Sequence, residues 1–162
     1  MTEPDPDSAL KPGDAAADRH WLSAAIELSR RCPPADTAFS VGAILVSSTG
    51  QVIATGYSRE VDPKDHAEEV ALARAASAGA DLRSATLYSS LEPCLARVSR
   101  PVPCAELVLG SGVRRVVVAW REPAVFQPGG GSTWLAGHGV PVVEIPDLAP
   151  AARNINHHIL GN

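Results

Sequence analysis

Aromatic residues are scarce in this chain: three tryptophans, two tyrosines and two phenylalanines among 162 residues. Any core must therefore be filled mainly by Ala, Val and Leu. Cysteine is scarce too, and a count of three is odd and low, which argues against a disulfide-built scaffold. There is no block of lysines, and the formal net charge is −4, so a surface that tracks nucleic-acid phosphates is not expected. No apolar run approaches the roughly 20 residues of a membrane span, and no charged-then-apolar leader opens the sequence. The expectation is a cytoplasmic protein with neither a membrane nor a nucleic-acid partner.

What is present has the balance of a globular domain: 45% hydrophobic and 20% charged residues over about one domain's length. Residues 1–17, rich in Pro, Asp, Ala and Gly, read as a disordered tail, with the domain over residues 18–162. A helix is expected from Asp18, which can cap it, with Trp21, Leu22, Ala25, Ile26 and Leu28 at helical spacing until Cys32-Pro33-Pro34. Val41 to Val46 reads as a buried strand and Val52 to Tyr57 as its hairpin partner. Asp65 to Ala78 reads as a helix, and Asp65 with Glu68 matches a capping box. A strand over Ala85–Ser90, a short helix from Pro103 or Cys104 to Leu109 and a buried strand over Val113–Trp120 follow. A Gly-rich loop, read as a flexible cover, then leads to a helix over Ser132–Ala136, a strand over Val140–Ile145 and one helix over Asp147–Leu160. This order implies a sheet with helices on both faces.

Four residues carry the chemistry. His66, Cys94 and Cys104 are of the types that ligate zinc, and three protein ligands leave a fourth tetrahedral position open, as catalytic sites do. Glu68, two residues after the histidine, can exchange a proton with an activated water without ligating the metal. Cys104 at a helix N-terminus gains from the dipole as a thiolate. Cys32 reads as a small buried or half-buried thiol, with a role as a fourth ligand left open. His157 and His158 read as surface residues.

His66-Ala67-Glu68 followed by Pro93-Cys94 and Pro103-Cys104 resembles the cytidine deaminase-like zinc deaminases, whose signature this is. The spacer from Leu95 to Pro103 is similar to that of the riboflavin-pathway deaminases, which act on a diaminopyrimidine ribosyl phosphate. Val41-Gly42-Ala43, Gly56-Tyr57, Thr86-Leu87-Tyr88, Leu91-Glu92-Pro93-Cys94 and Arg115 to Ala119 extend the likeness from about Trp21 to the C-terminus. The resemblance implies a three-layer α/β/α sandwich with a mixed five-stranded sheet. It implies a zinc cofactor and hydrolytic removal of an exocyclic amino group from a small aminopyrimidine, with homodimers or larger homo-oligomers as the assembly. Glu68 would be catalytic, and the carbonyl near Leu91 would accept from the leaving amino group.

The chain departs from that pattern where substrate is recognised. Ala38-Phe39-Ser40 stands where Asn-Pro is usual, Ser58 where a histidine is usual, and Arg97-Val98-Ser99-Arg100 where the spacer usually carries His and Gly-Lys/Arg-Thr. Ala38, Ser40, Ser58, Leu91, Arg97 and Arg100 are therefore the candidate substrate contacts, the two arginines as forks for a substrate phosphate. Two alternatives stay open: a cytidine, deoxycytidylate, cytosine or guanine deaminase, to which Ala38-Phe39-Ser40-Val41-Gly42 is closer, and a non-catalytic zinc-stabilised module, which requires a fourth protein ligand.

Overall fold

The structure is a computed structural model that describes residues 10–160. Most of the expected tail lies outside the described residues, but 15–17 do not belong to it. The first helix, α1, runs over Ala15–Ser29 behind Asp14 as N-cap, three residues earlier than expected. Asp18 is not the cap. It points inward, accepts from Tyr88 Oη at 2.6 Å, and is held by both terminal nitrogens of Arg115 at 3.0 and 2.5 Å. A carboxylate at only 5% exposure needs such partners, and a capping role would have left Arg115 unpaired.

Five strands form one mixed sheet: β1 (Gly42–Val46), β2 (Val52–Tyr57), β3 (Thr86–Ser89), β4 (Arg115–Val118) and β5 (Val142–Glu144). Their order is β2-β1-β3-β4-β5. The first three pair antiparallel, and β3, β4 and β5 are parallel. The β-branched runs are buried along their length in β1, and Val116 to Val118 in β4 are fully covered, as a sheet with two helical faces requires.

Two glycines identify the faces. A Cβ on Gly42 would collide with the Ala25 carbonyl of α1. One on Gly56 would collide with the backbone of α2 (Ala67–Ser77) at the Ala67 carbonyl and Ala71 N–H. Gly56 lies opposite Ala43, so the two helices cover opposite faces of the sheet. The layer of α1 also holds α5 (Ala149–Ile155). The layer of α2 holds α3 (Cys104–Ser111), against which α4 (Gly131–Gly137) packs. The α/β/α arrangement thus matches the expectation.

The C-terminal segment does not form one helix. A single 3₁₀ turn over Pro146–Leu148 precedes α5, and α6 (His157–Leu160) follows a break at Asn156. Asn156 is buried, and its amide bonds both Ser40 N–H, at 2.7 Å, and Ser40 C=O, at 3.0 Å. That side chain splices the C-terminus to the segment ahead of β1. His157 and His158 are exposed, as expected.

Candidate active site

α2 and α3 bring their N-terminal ends together beneath the loop that follows β3. The capping box at the start of α2 differs from the expected one. His66 is the N-cap, and Glu69 accepts from its N–H at 2.7 Å. Asp65 instead accepts from the loop N–H groups of Val61 and Asp62 at 3.1 and 2.8 Å. This division of labour leaves the Glu68 side chain free of capping.

His66, Cys94 and Cys104 offer ligand atoms that all lie within 4.8 Å of one another. His66 Nδ1 stands 3.5 Å from each of the two sulfurs. Zn–N and Zn–S bonds of about 2.0 and 2.3 Å at a tetrahedral angle separate their donors by about 3.5 Å, so the three residues fit a zinc ion. Among the described residues no fourth His, Cys, Asp or Glu joins the group. Cys32 is turned away, with its Sγ 3.4 Å from Val41 O. Among the described residues, the closed site that a purely structural zinc module needs is therefore missing its fourth side chain.

The sulfurs are set in a field that separates their protons. Cys94 is lowered to about 4 by its hydrogen bond with Cys104, helped by His66 and the Cys104 N–H, which donates to Cys94 Sγ at 3.2 Å. Cys104 shifts the other way, through the same thiol pair and its burial. Two thiols this close resist ionising together until a cation arrives. Arg97 Nη1 lies 3.9 Å from Cys104 Sγ and adds a positive neighbour behind the donor set.

Glu68 is 3% exposed. Burial raises its pKa, His66 opposes the shift and Cys94 reinforces it. Ser89 Oγ lies 2.8 Å from Glu68 Oε1 and 2.7 Å from Leu91 O. A hydroxyl has one proton to donate, so a proton on Glu68 satisfies both contacts at once. The arrangement suits a carboxyl that carries and releases a proton.

These groups open onto a cavity of about 380 Å³, within the range of small-molecule sites. Ala38, Ser58, Leu91 and Arg97 line it, as do His66, Glu68 and Cys94. Ser40 and Arg100 do not. Ser40 is occupied by Asn156 and by Arg59, which donates to its Oγ at 2.9 Å. Arg100 reaches Asp65 at 3.1 Å and Glu69 at 3.3 Å. Arg97 donates to Glu69 at 3.0 Å and to Lys64 O at 2.7 Å. Neither guanidinium is the free phosphate fork anticipated from the spacer, because three carboxylates that are remote in sequence or counted only as caps surround them.

Several site residues escaped the sequence. Glu92 is buried, and its carboxylate accepts from the N–H groups of Glu122, Gly130 and Ser132 at 2.9, 3.2 and 3.1 Å. It anchors both ends of the Gly-rich loop, whose Phe126 and Gln127 reach the cavity. Glu122, on the same wall, is raised to about 8 by desolvation, with Cys94, Glu68 and Glu92 adding to it. A signal existed for it: a charged residue just beyond the C-terminal end of a buried parallel strand lies where α/β sheets place ligands.

A family model described as the cytidine and deoxycytidylate deaminase zinc-binding region matches residues 15–120. The diaminohydroxyphosphoribosylamino-pyrimidine deaminase of Schizosaccharomyces pombe is 35% identical over 76% of the chain and 31% of its own length. The riboflavin biosynthesis protein RibD of Aquifex aeolicus is 33% identical over 86% of the chain and 37% of its own length. A crystal structure of a diaminohydroxyphosphoribosylaminopyrimidine deaminase/5-amino-6-(5-phosphoribosylamino)uracil reductase from Thermotoga maritima superposes with a TM-score of 0.74 at 31% identity, covering 88% of the chain and 40% of that protein. The chain thus spans only 31% and 37% of the two curated relatives just named.

Proposed function

The chain belongs to the zinc-binding cytidine and deoxycytidylate deaminase family, and on that premise we propose that it hydrolytically removes an exocyclic amino group from a small aminopyrimidine related to the substrate named for its riboflavin-pathway relatives. One observation carries the proposal: Glu68, buried, lines a cavity together with His66 and Cys94 of a three-donor metal group.

In this reading His66, Cys94 and Cys104 would hold zinc, with Arg97 steadying Cys104 from behind. Zinc bound there supplies Lewis-acid activation of water near neutral pH. Glu68 takes the first proton of the attacking water on the oxygen not engaged by Ser89 and passes it to the ring nitrogen as the C–O bond forms. It then takes the second proton from the new hydroxyl and gives it to the amino group, which leaves as ammonia as the C–N bond breaks and the carbonyl forms. A positioned carboxyl of this kind contributes about 10²–10⁴-fold. The α2 helix fixes the carboxyl relative to His66, because His66 is its N-cap and Glu68 stands in its first turn. Phe39, Phe126 and Leu91 exclude water from the ring.

A second reading, a cytidine, deoxycytidylate, cytosine or guanine deaminase, rests on the family model itself and on Ala38-Phe39-Ser40, of which Ala38 and Phe39 line the cavity. Ammonia release by the zinc-loaded chain across aminopyrimidines, cytidine derivatives and guanine separates the two. Release from none of them contradicts both. Assembly as a homodimer or larger oligomer is part of the same proposal. It is supported by the exposed Val98, at 92%, on the cavity lining, and sedimentation as a monomer contradicts it.

A further inference from the structure

The guanidinium groups of the cavity wall are bound within the chain, and one carboxyl group is not. The Arg97 side chain is 2% exposed and donates to Glu69, Ser99 and Lys64 O. Arg59, on the opposite wall, donates to Pro33 O at 2.7 Å, Phe39 O at 3.2 Å and Ser40 Oγ at 2.9 Å. A guanidinium committed to two or three acceptors has no planar fork left for a phosphate. Lys64 remains, exposed at the mouth, where solvent and salt screen it.

Glu122 is the opposite case. It is half-buried on the cavity wall, and among the described residues no donor or cation meets its carboxylate. Its backbone is fixed, because its N–H donates to Glu92 at 2.9 Å. A half-buried carboxyl without a partner is unfavourable, and burial, with Cys94, Glu68 and Glu92 nearby, raises its pKa. An N–H edge entering the cavity supplies the missing donors.

We propose that the cavity takes an unphosphorylated amino-substituted heterocycle or its nucleoside, and that Glu122 accepts hydrogen bonds from its N–H edge. This rests on the deaminase reading and narrows it to a substrate class. A phosphate, bearing about −1.5 to −2 charge, would find the Arg59 and Arg97 guanidinium groups already committed to acceptors within the chain.

The test uses the zinc-loaded full chain and paired probes: diaminohydroxyribosylaminopyrimidine and its 5′-phosphate, and cytidine and its 5′-monophosphate. For whichever pair is turned over, kcat/KM is expected to be at least tenfold higher without the phosphate. Glu122→Leu removes both carboxyl oxygens and is expected to raise KM at least tenfold, with kcat within threefold. Equal or better turnover of the phosphorylated member overturns the substrate class, and an unchanged KM overturns the role of Glu122. If nothing releases ammonia, the deaminase reading has failed, and equilibrium dialysis of the same pairs against the Glu68→Gln chain decides the inference. Tighter binding of the unphosphorylated member sustains it; binding of neither, or of the phosphate form preferentially, overturns it.

Discussion

Ser89 earns a place at the site through a single proton. Its hydroxyl sits between Glu68 Oε1 and Leu91 O and can donate to only one of them. Removing it leaves the buried Glu68 without its polar neighbour. Ser89→Ala is expected to lower kcat about 10- to 100-fold with zinc content unchanged, given about 1.5–3 kcal/mol for a hydrogen bond to a charged group. Steady-state kinetics beside elemental analysis checks this. The sulfur count is a second residue-level matter. Zinc K-edge absorption on the loaded protein is expected to fit two sulfur and two light-atom neighbours. A third sulfur would bring in Cys32, which the fold turns towards Val41 O. His66, Glu68, Cys94 and Cys104 were legible because their chemistry is rare and their spacing distinctive. Glu122 and Ser89 were not, because a lone carboxylate and a lone hydroxyl acquire meaning only from neighbours remote in sequence.

At the scale of the element, the start of α2 is where folding and chemistry meet. Glu69 closes the helix by accepting from His66 N–H, and the same carboxylate holds Arg97 and Arg100. Glu69→Ala is expected to weaken zinc binding by about 10–100-fold, as loss of a residue supporting a metal ligand does, measured by chelator competition. The Asp65/Glu68 box expected from sequence fits the same spacing rule; the structure favours His66/Glu69 because Glu68 faces the cavity. α1 has its own anchor in Asp18. Burial alone would raise the Asp18 carboxyl, but hydrogen bonds from Arg115 and Tyr88 outweigh it and lower its pKa below 3.8. A depressed carboxyl contributes stability that is complete above its unfolded value and lost as pH falls through its folded value. Asp18→Asn is expected to cost about 3–5 kcal/mol at pH 7 by stranding Arg115, and the gap from wild type should narrow below about pH 4, followed by urea unfolding. The break between α5 and α6 was not legible, since the Asn156 amide is spent on Ser40, 116 residues away in sequence.

Over the whole molecule, the mixed sheet explains why the site stands where it does. The antiparallel pairing of β1 with β3 and the parallel run of β3, β4 and β5 carry Leu91, Glu92 and Glu122 to the C-terminal ends of β3 and β4, facing the start of α2. The alternation and buried runs of the strands made this architecture legible. The ion pairs that occupy Arg97 and Arg100 were hidden, because the partner carboxylates come from the loop before α2 and from α2 itself. Close packing of α2 on β2 is part of the same design: Gly56→Ala would drive a Cβ into the Ala67 carbonyl and is expected to cost about 1–3 kcal/mol, the usual range for overpacking. The most direct measurement is turnover and zinc content of Glu68→Gln on one sample, beside the wild-type chain with the aminopyrimidine it deaminates. The account predicts a full zinc complement and a rate reduced about 10²–10⁴-fold; undiminished ammonia release, or a protein that no longer holds its metal, would contradict it.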